Sequence, residues 1–173
     1  MKQKEIDSFV TYELNEKDKN FIQEVVKETL RNVKPKAFNC ALLSALLGAM
    51  IYDNSDIPVV VLSGHFEYNS NRIFNCTKPI PFTNKEKMIN DSWDGHCWIE
   101  INDLIIDLSI FRTIYYGKVP NSFKTEIVEK FGAGKGALIG YSSCLKELGF
   151  NYIPKYSLNQ EQINGLIKGL SYE

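Results

Sequence analysis

Helices come first in this sequence and an antiparallel sheet follows them, an order that predicts an α+β fold. Three stretches carry the prediction: an amphipathic pattern over residues 21–33, an apolar run over residues 41–52, and a β-hairpin over residues 97–108.

Phe21, Ile22, Val25, Val26, Leu30 and Val33 recur at helical spacing after the polar stretch 15–20, which predicts a first helix ending near Pro35. Asn39 is placed to cap a second helix starting at Cys40 or Ala41. That helix is apolar nearly all round and therefore belongs in the middle of the fold. Residues 53–58 read as a turn, 59–62 as a buried strand, and 66–74 as further strand with an Asn-rich loop. Past the hairpin, residues 121–130 read as a helix and 132–140 as a flexible glycine-rich segment. Residues 142–148 are ambiguous, and 161–170 read as a terminal helix weakened by Gly165 and Gly169. No repeat, low-complexity tract or linker divides the chain, so a single domain over residues 1–173 is expected.

At 173 residues, 44% hydrophobic and 24% charged, the chain can bury one substantial core. Its 20 basic and 21 acidic residues leave a formal net charge of -1, without the electrostatic footprint of a nucleic-acid binder. Residues 1–8 are charged and lack the apolar centre of a signal peptide, and the run 41–52 is too short to span a bilayer. A cytoplasmic protein is expected, with neither nucleic acid nor membrane as partner. Its four cysteines, Cys40, Cys76, Cys97 and Cys144, then read as thiols rather than a disulfide framework.

The hairpin brings chemistry together. With Asn102 and Asp103 as a two-residue turn, Ile101 pairs with Leu104, Glu100 with Ile105, Ile99 with Ile106 and Trp98 with Asp107. Alternation puts His96, Trp98, Glu100 and Asp107 on one face and Cys97, Ile99, Ile101 and Ile106 on the other. His96 lies diagonal to Asp107, at a backbone separation of about 5 to 8 Å that lets imidazole and carboxylate meet. Upstream, Cys40 sits at a helix N-terminus, where the macrodipole and unpaired N–H groups favour a thiolate. The three residues compose a Cys-His-Asp acyl-transfer site: Cys40 as nucleophile, His96 as base and acid, Asp107 as orienting carboxylate. The backbone N–H of Cys40, with the Asn39 side chain, is placed to hold an oxyanion.

Taken together, Asn39-Cys40 and the apolar helix, Asp56 with the run 57–64, Gly95-His96-Cys97-Trp98-Ile99-Glu100, and Ile106-Asp107-Leu108 resemble the transglutaminase-like core of the papain-like cysteine enzymes. The resemblance covers about residues 38 to 110 and keeps the order Cys, His, Asp; Leu108 stands where the family often has proline. It implies a papain-like, transglutaminase-like α+β fold in which the helix carrying the nucleophile packs on an antiparallel sheet. It also implies a cysteine hydrolase or acyltransferase; separately, no cofactor or metal is expected. Amide hydrolysis of a protein or peptide substrate is the expected activity. The alternatives are transfer to an amine, or an inactive module of the same fold that binds a protein partner.

Each residue also has a plainer reading. Cys40 can be a small apolar residue packed at a helix start, His96 an ordinary half-buried histidine, and Asp107 a cap for the turn or helix after it. Trp98 reads as packing beside the site and Glu100 as a solvated strand residue, so neither is assigned a catalytic role. His65 reads as an exposed loop histidine. Phe111, Tyr115 and Tyr116 are placed to wall the cleft or to pack. The run 132–136 lacks the Ser or Thr and the preceding strand of a phosphate loop, and no Cys-x-x-Cys or His-x-x-x-His pair offers a metal site.

Overall fold

The computed structural model describes residue 9, residues 11–81 and residues 93–170; the charged residues 1–8 lie outside them. Among the described residues, six helices flank one antiparallel sheet of six strands, which confirms the α+β expectation.

Helix α1 (Glu16–Asn32) begins inside the polar stretch rather than after it, because Asn15 and Asp18 form a capping box: each side chain accepts the other's backbone N–H. Such a box satisfies two otherwise orphaned donors, and an N-cap contributes about 1 kcal/mol. Ile22, Val25, Val26 and Thr29 form its buried face. Helix α2 (Cys40–Asn54) buries Leu43, Ala45, Leu47 and Ile51 completely. Gly48 lets it settle on the sheet, since a Cβ there would come within 2.5 Å of the Val61 side chain.

Strand β1 (Val60–Tyr68) runs well past the expected 59–62 and turns at Asn69 and Ser70, both at positive φ, into β2 (Asn71–Phe74). The hairpin of β3 (His96–Ile101) and β4 (Leu104–Asp107) has the expected register, Ile99 opposite Ile106 and Glu100 opposite Ile105, with Asn102 at φ 54° in the turn. Helix α3 (Ile110–Tyr116) follows, then α4 (Asn121–Phe131). Part of the segment expected to be flexible is strand β5 (Leu138–Tyr141), paired with β4. The ambiguous stretch is helix α5 (Ser142–Glu147). Strand β6 (Phe150–Ser157) pairs with β1 from Leu62 to Tyr68, and α6 (Gln160–Leu170) closes the described chain. Along one edge of β1, β3 occupies the first half and β2 the second; β6 takes the other edge.

Alternation along the strands separates two cores. Cys97, Ile99, Ile101 and Ile106 meet α1, α2 and α6 on one face. Phe66, Trp98, Ile105 and Tyr152 meet α3 and α4 on the other. Among the described residues, no helix is long and apolar enough to cross a membrane.

Ile99 is fully buried between sheet and helices. Ile99→Ala should therefore lower stability in urea unfolding by about 2 to 5 kcal/mol through its cavity, whereas a loss under about 1 kcal/mol would mean that the helical layer collapses onto the gap.

Candidate active site

The last residue of β4 and the first of β3 meet as the hairpin register requires: His96 Nε2 lies 2.6 Å from Asp107 Oδ2, with both side chains buried. An ionised carboxylate only accepts, so Nε2 carries the proton. The other ring nitrogen, Nδ1, is buried and has no hydrogen-bond partner among the described residues, and the Cys40 thiol is close enough to perturb the ring. The three residues read from sequence as one site are brought together.

Asp107 also does what its plainer reading proposed. Its Oδ1 accepts from Ser109 N–H (2.8 Å), Ser109 Oγ–H (2.9 Å) and Ile110 N–H (3.0 Å), which starts α3, while Oδ2 accepts from Tyr152 Oη–H (2.8 Å) as well as from His96. Tyr152 escaped the sequence reading. The alternating aromatics Phe150 and Tyr152 were a strand signal, but Pro154 in the same run argues against a paired strand. Pro154 is tolerated because β6 lies at the sheet's edge.

Rings enclose the imidazole. Phe74 stacks on it at 4.9 Å between centroids and 12° between planes, and Phe66 lies at 5.4 Å. Burial opposes charge on His96, but the Asp107 carboxylate and then the Cys40 thiol outweigh it and hold the imidazolium up to about 10. Burial likewise pushes Asp107 upward, and His96, Ser109 and Tyr152 bring it below its usual value. The Cys40 thiol is held well below its usual value, first by hydrogen bonding from the Cys97 thiol, against burial, and then by His96. Cys97, fully buried, moves the opposite way: burial and the adjoining Cys40 push it well up. Read from sequence as core, Cys97 is core and also touches the nucleophile candidate.

The cleft at this point has a volume of about 540 Å³ and is lined by Asn39, Cys40, His96, Phe38, Phe74 and Trp93 among others. Asn39 precedes α2 but its side chain does not cap it, contrary to expectation; its φ of -103° and ψ of 27° depart from the extended N-cap geometry, and Oδ1 is buried with no partner among the described residues. That places the Asn39 amide, its carbonyl oxygen unengaged among the described residues, beside Cys40. His65 is not on a loop: it lies within β1, where its Nδ1 accepts the Cys76 N–H at 3.0 Å. Trp98 is fully buried, donating from Nε1 to a half-buried Glu100. Phe111 belongs to the second core, and Tyr116 is exposed away from the cleft lining. Among the described residues no group of three or more His, Cys, Asp or Glu is arranged to hold a metal ion.

No family model, no curated protein and no solved structure matches this chain.

The shifted groups carry a pH signature. His96, raised from 6.5 to about 10, contributes stability that is complete below 6.5 and lost as pH rises through about 10. Cys40, lowered from 9.0, contributes stability present above 9.0 and lost as pH falls through its folded value. A thiolate–imidazolium pair therefore occupies the window between them. Iodoacetamide alkylation of Cys40 should reach its plateau at lower pH than that of an ordinary thiol, and His96→Ala should return its midpoint toward the ordinary one; an ordinary profile in the unaltered protein would exclude the pair. Tyr152→Phe removes one donor from a buried carboxylate, so thermal or urea unfolding should show a loss of about 1 to 3 kcal/mol. Acid unfolding should also move to higher pH, because the folded value of Asp107 rises toward its ordinary one; unchanged acid unfolding would mean the phenol does not support the carboxylate.

Proposed function

We propose that this protein is a cysteine-dependent acyl-transfer enzyme with a papain-like, transglutaminase-like core, acting by amide hydrolysis on a protein or peptide substrate. One observation carries the reading: a buried imidazole, tied through Nε2 to a fully satisfied carboxylate, keeps its unpartnered Nδ1 beside a thiol of lowered pKa at the start of α2, at an open cleft. Burial alone would favour neutral groups, and three adjoining ionisable side chains held in charged forms are more costly than packing requires.

In the proposed reaction the Cys40 thiolate adds to the amide carbonyl. The oxyanion is held by N–H groups of the first turn of α2, which have no intrahelical acceptor, and by the Asn39 amide. As the tetrahedral species collapses, the C–N bond breaks and His96 gives its Nδ1 proton to the departing amine, leaving a thioester on Cys40. Water then adds to the thioester with Nδ1 as base, releasing the acid and restoring thiolate and imidazolium. Asp107 keeps the ring oriented and its charge compensated throughout. An amine in place of water would make the same residues a transferase.

Acylation with p-nitrophenyl acetate tests this without knowledge of the natural substrate. A burst of p-nitrophenolate equal to the protein present, with one acetyl group mapped to Cys40, is expected. Cys40→Ala should give neither and remain folded, and Asp107→Asn should slow acylation by roughly three to four orders of magnitude. Acetyl transfer to Cys40 that is as fast in Asp107→Asn or His96→Ala would remove the triad.

A further inference from the structure

Phe38, two residues before Cys40, is unusual in two respects. Its φ of 60° lies in the left-handed region, which disfavours bulky side chains, and its ring is 57% exposed. Neither feature helps to bury a core, yet both are held in place. The Phe38 N–H donates to Oγ1 of the buried Thr113 at 3.3 Å. Its ring lies on Gly117, where a Cβ would stand 2.5 Å from the Thr113 carbonyl oxygen and 3.0 and 3.1 Å from two ring atoms, so a side chain there would crowd both. Gly117 in turn donates its N–H to the Thr113 carbonyl at the end of α3. Helix α3, which starts on Asp107, therefore presents an aromatic ring at the cleft.

Much of the rest of the described lining suits the same kind of group, with Lys36 also on the wall. Phe74, Ile80, Pro81, Trp93 and Leu166 line the cleft with Phe38, and the Asp94 carboxylate on its wall is already engaged by the Thr77 hydroxyl at 2.7 Å. A water-exposed ring already seated on Gly117 has little to reorganise when a ligand covers it, which is what a binding subsite needs.

We propose that Phe38 is the specificity-determining residue of this cleft and selects acyl donors carrying an aromatic or bulky aliphatic group beside the scissile carbonyl. The position of that carbonyl rests on Cys40 being the nucleophile; the apolar preference rests on the cleft wall.

N-acetylphenylalanyl and N-acetylalanyl chloromethyl ketones, which place a carbonyl and a chosen side chain beside an alkylating carbon, test both. Labelling of Cys40 in the full chain, followed by intact mass and peptide mapping, should favour the phenylalanyl reagent by about tenfold or more, through a lower KI. The ratio should fall toward one in Phe38→Gly, which the positive φ accommodates, and persist in Phe38→Tyr. A ratio near one in the unaltered protein, or one that survives in Phe38→Gly, overturns the proposal. If Cys40 reacts with neither reagent, the nucleophile reading fails by itself. Titration with N-acetylphenylalanine amide and N-acetylalanine amide, followed by tryptophan fluorescence, then decides the subsite. Tighter binding of the phenylalanine amide that Phe38→Gly abolishes upholds it, and equal binding overturns it.

Discussion

A buried carboxylate must be compensated or it will not stay charged, and in this protein the compensation of Asp107 organises much of the fold. Five donors converge on its two oxygens, from His96, Tyr152, the Ser109 backbone and hydroxyl, and the Ile110 backbone. They belong to β3, to β6, and to the junction between β4 and α3, so satisfying one charge pins four elements together. Leaving such a group uncompensated costs several kcal/mol, which makes the arrangement strongly cooperative. The negative charge propagates: it holds His96 as imidazolium, which favours thiolate on Cys40.

The two faces of the sheet explain where the site can form. Cys40 arrives from the helical layer that packs on Cys97, Ile99 and Ile101, whereas His96 points into the aromatic layer with Phe66, Trp98 and Tyr152. Side chains from opposite faces meet only at a strand end, and His96 is the first residue of β3. The same end carries the cleft. Helix α3 connects the site to its surroundings: its first turn rests on Asp107, its buried Arg112 donates to the Leu30 carbonyl in the last turn of α1 and to the Lys34 carbonyl just beyond it, and Thr113 holds Phe38. The chain leading into Cys40 is thus braced by the helix that the site carboxylate initiates.

Much of this was legible in the sequence where local rules suffice. A two-residue turn and strict alternation determine which side chains of residues 96–107 share a face, and the structure keeps that register. The apolar run of α2 could lie only between layers, and its start put Cys40 at a helix N-terminus. Elements whose pairing is non-local were lost. The 132–140 segment hid β5 behind glycines, the strand read over 59–62 in fact runs on to Tyr68 against β6, and β6 itself, with Pro154 in it, went unread. His65 was misplaced onto a loop for the same reason, since β1 continues through it by pairing with Ile153 of the distant β6.

The sequence by itself determined the α+β order, the hairpin register, and the choice of Cys40, His96 and Asp107 as residues able to meet, because helix caps, turns and period-two alternation act over a few neighbours. Tertiary structure alone decided that the Tyr152 phenol would complete the carboxylate's shell, that Cys97 would touch Cys40, and that Phe38 would stand exposed on Gly117. Those contacts join residues 45, 57 and 79 positions apart, and no local pattern encodes a meeting at that distance: it follows from burying two cores on one sheet and compensating the charge between them.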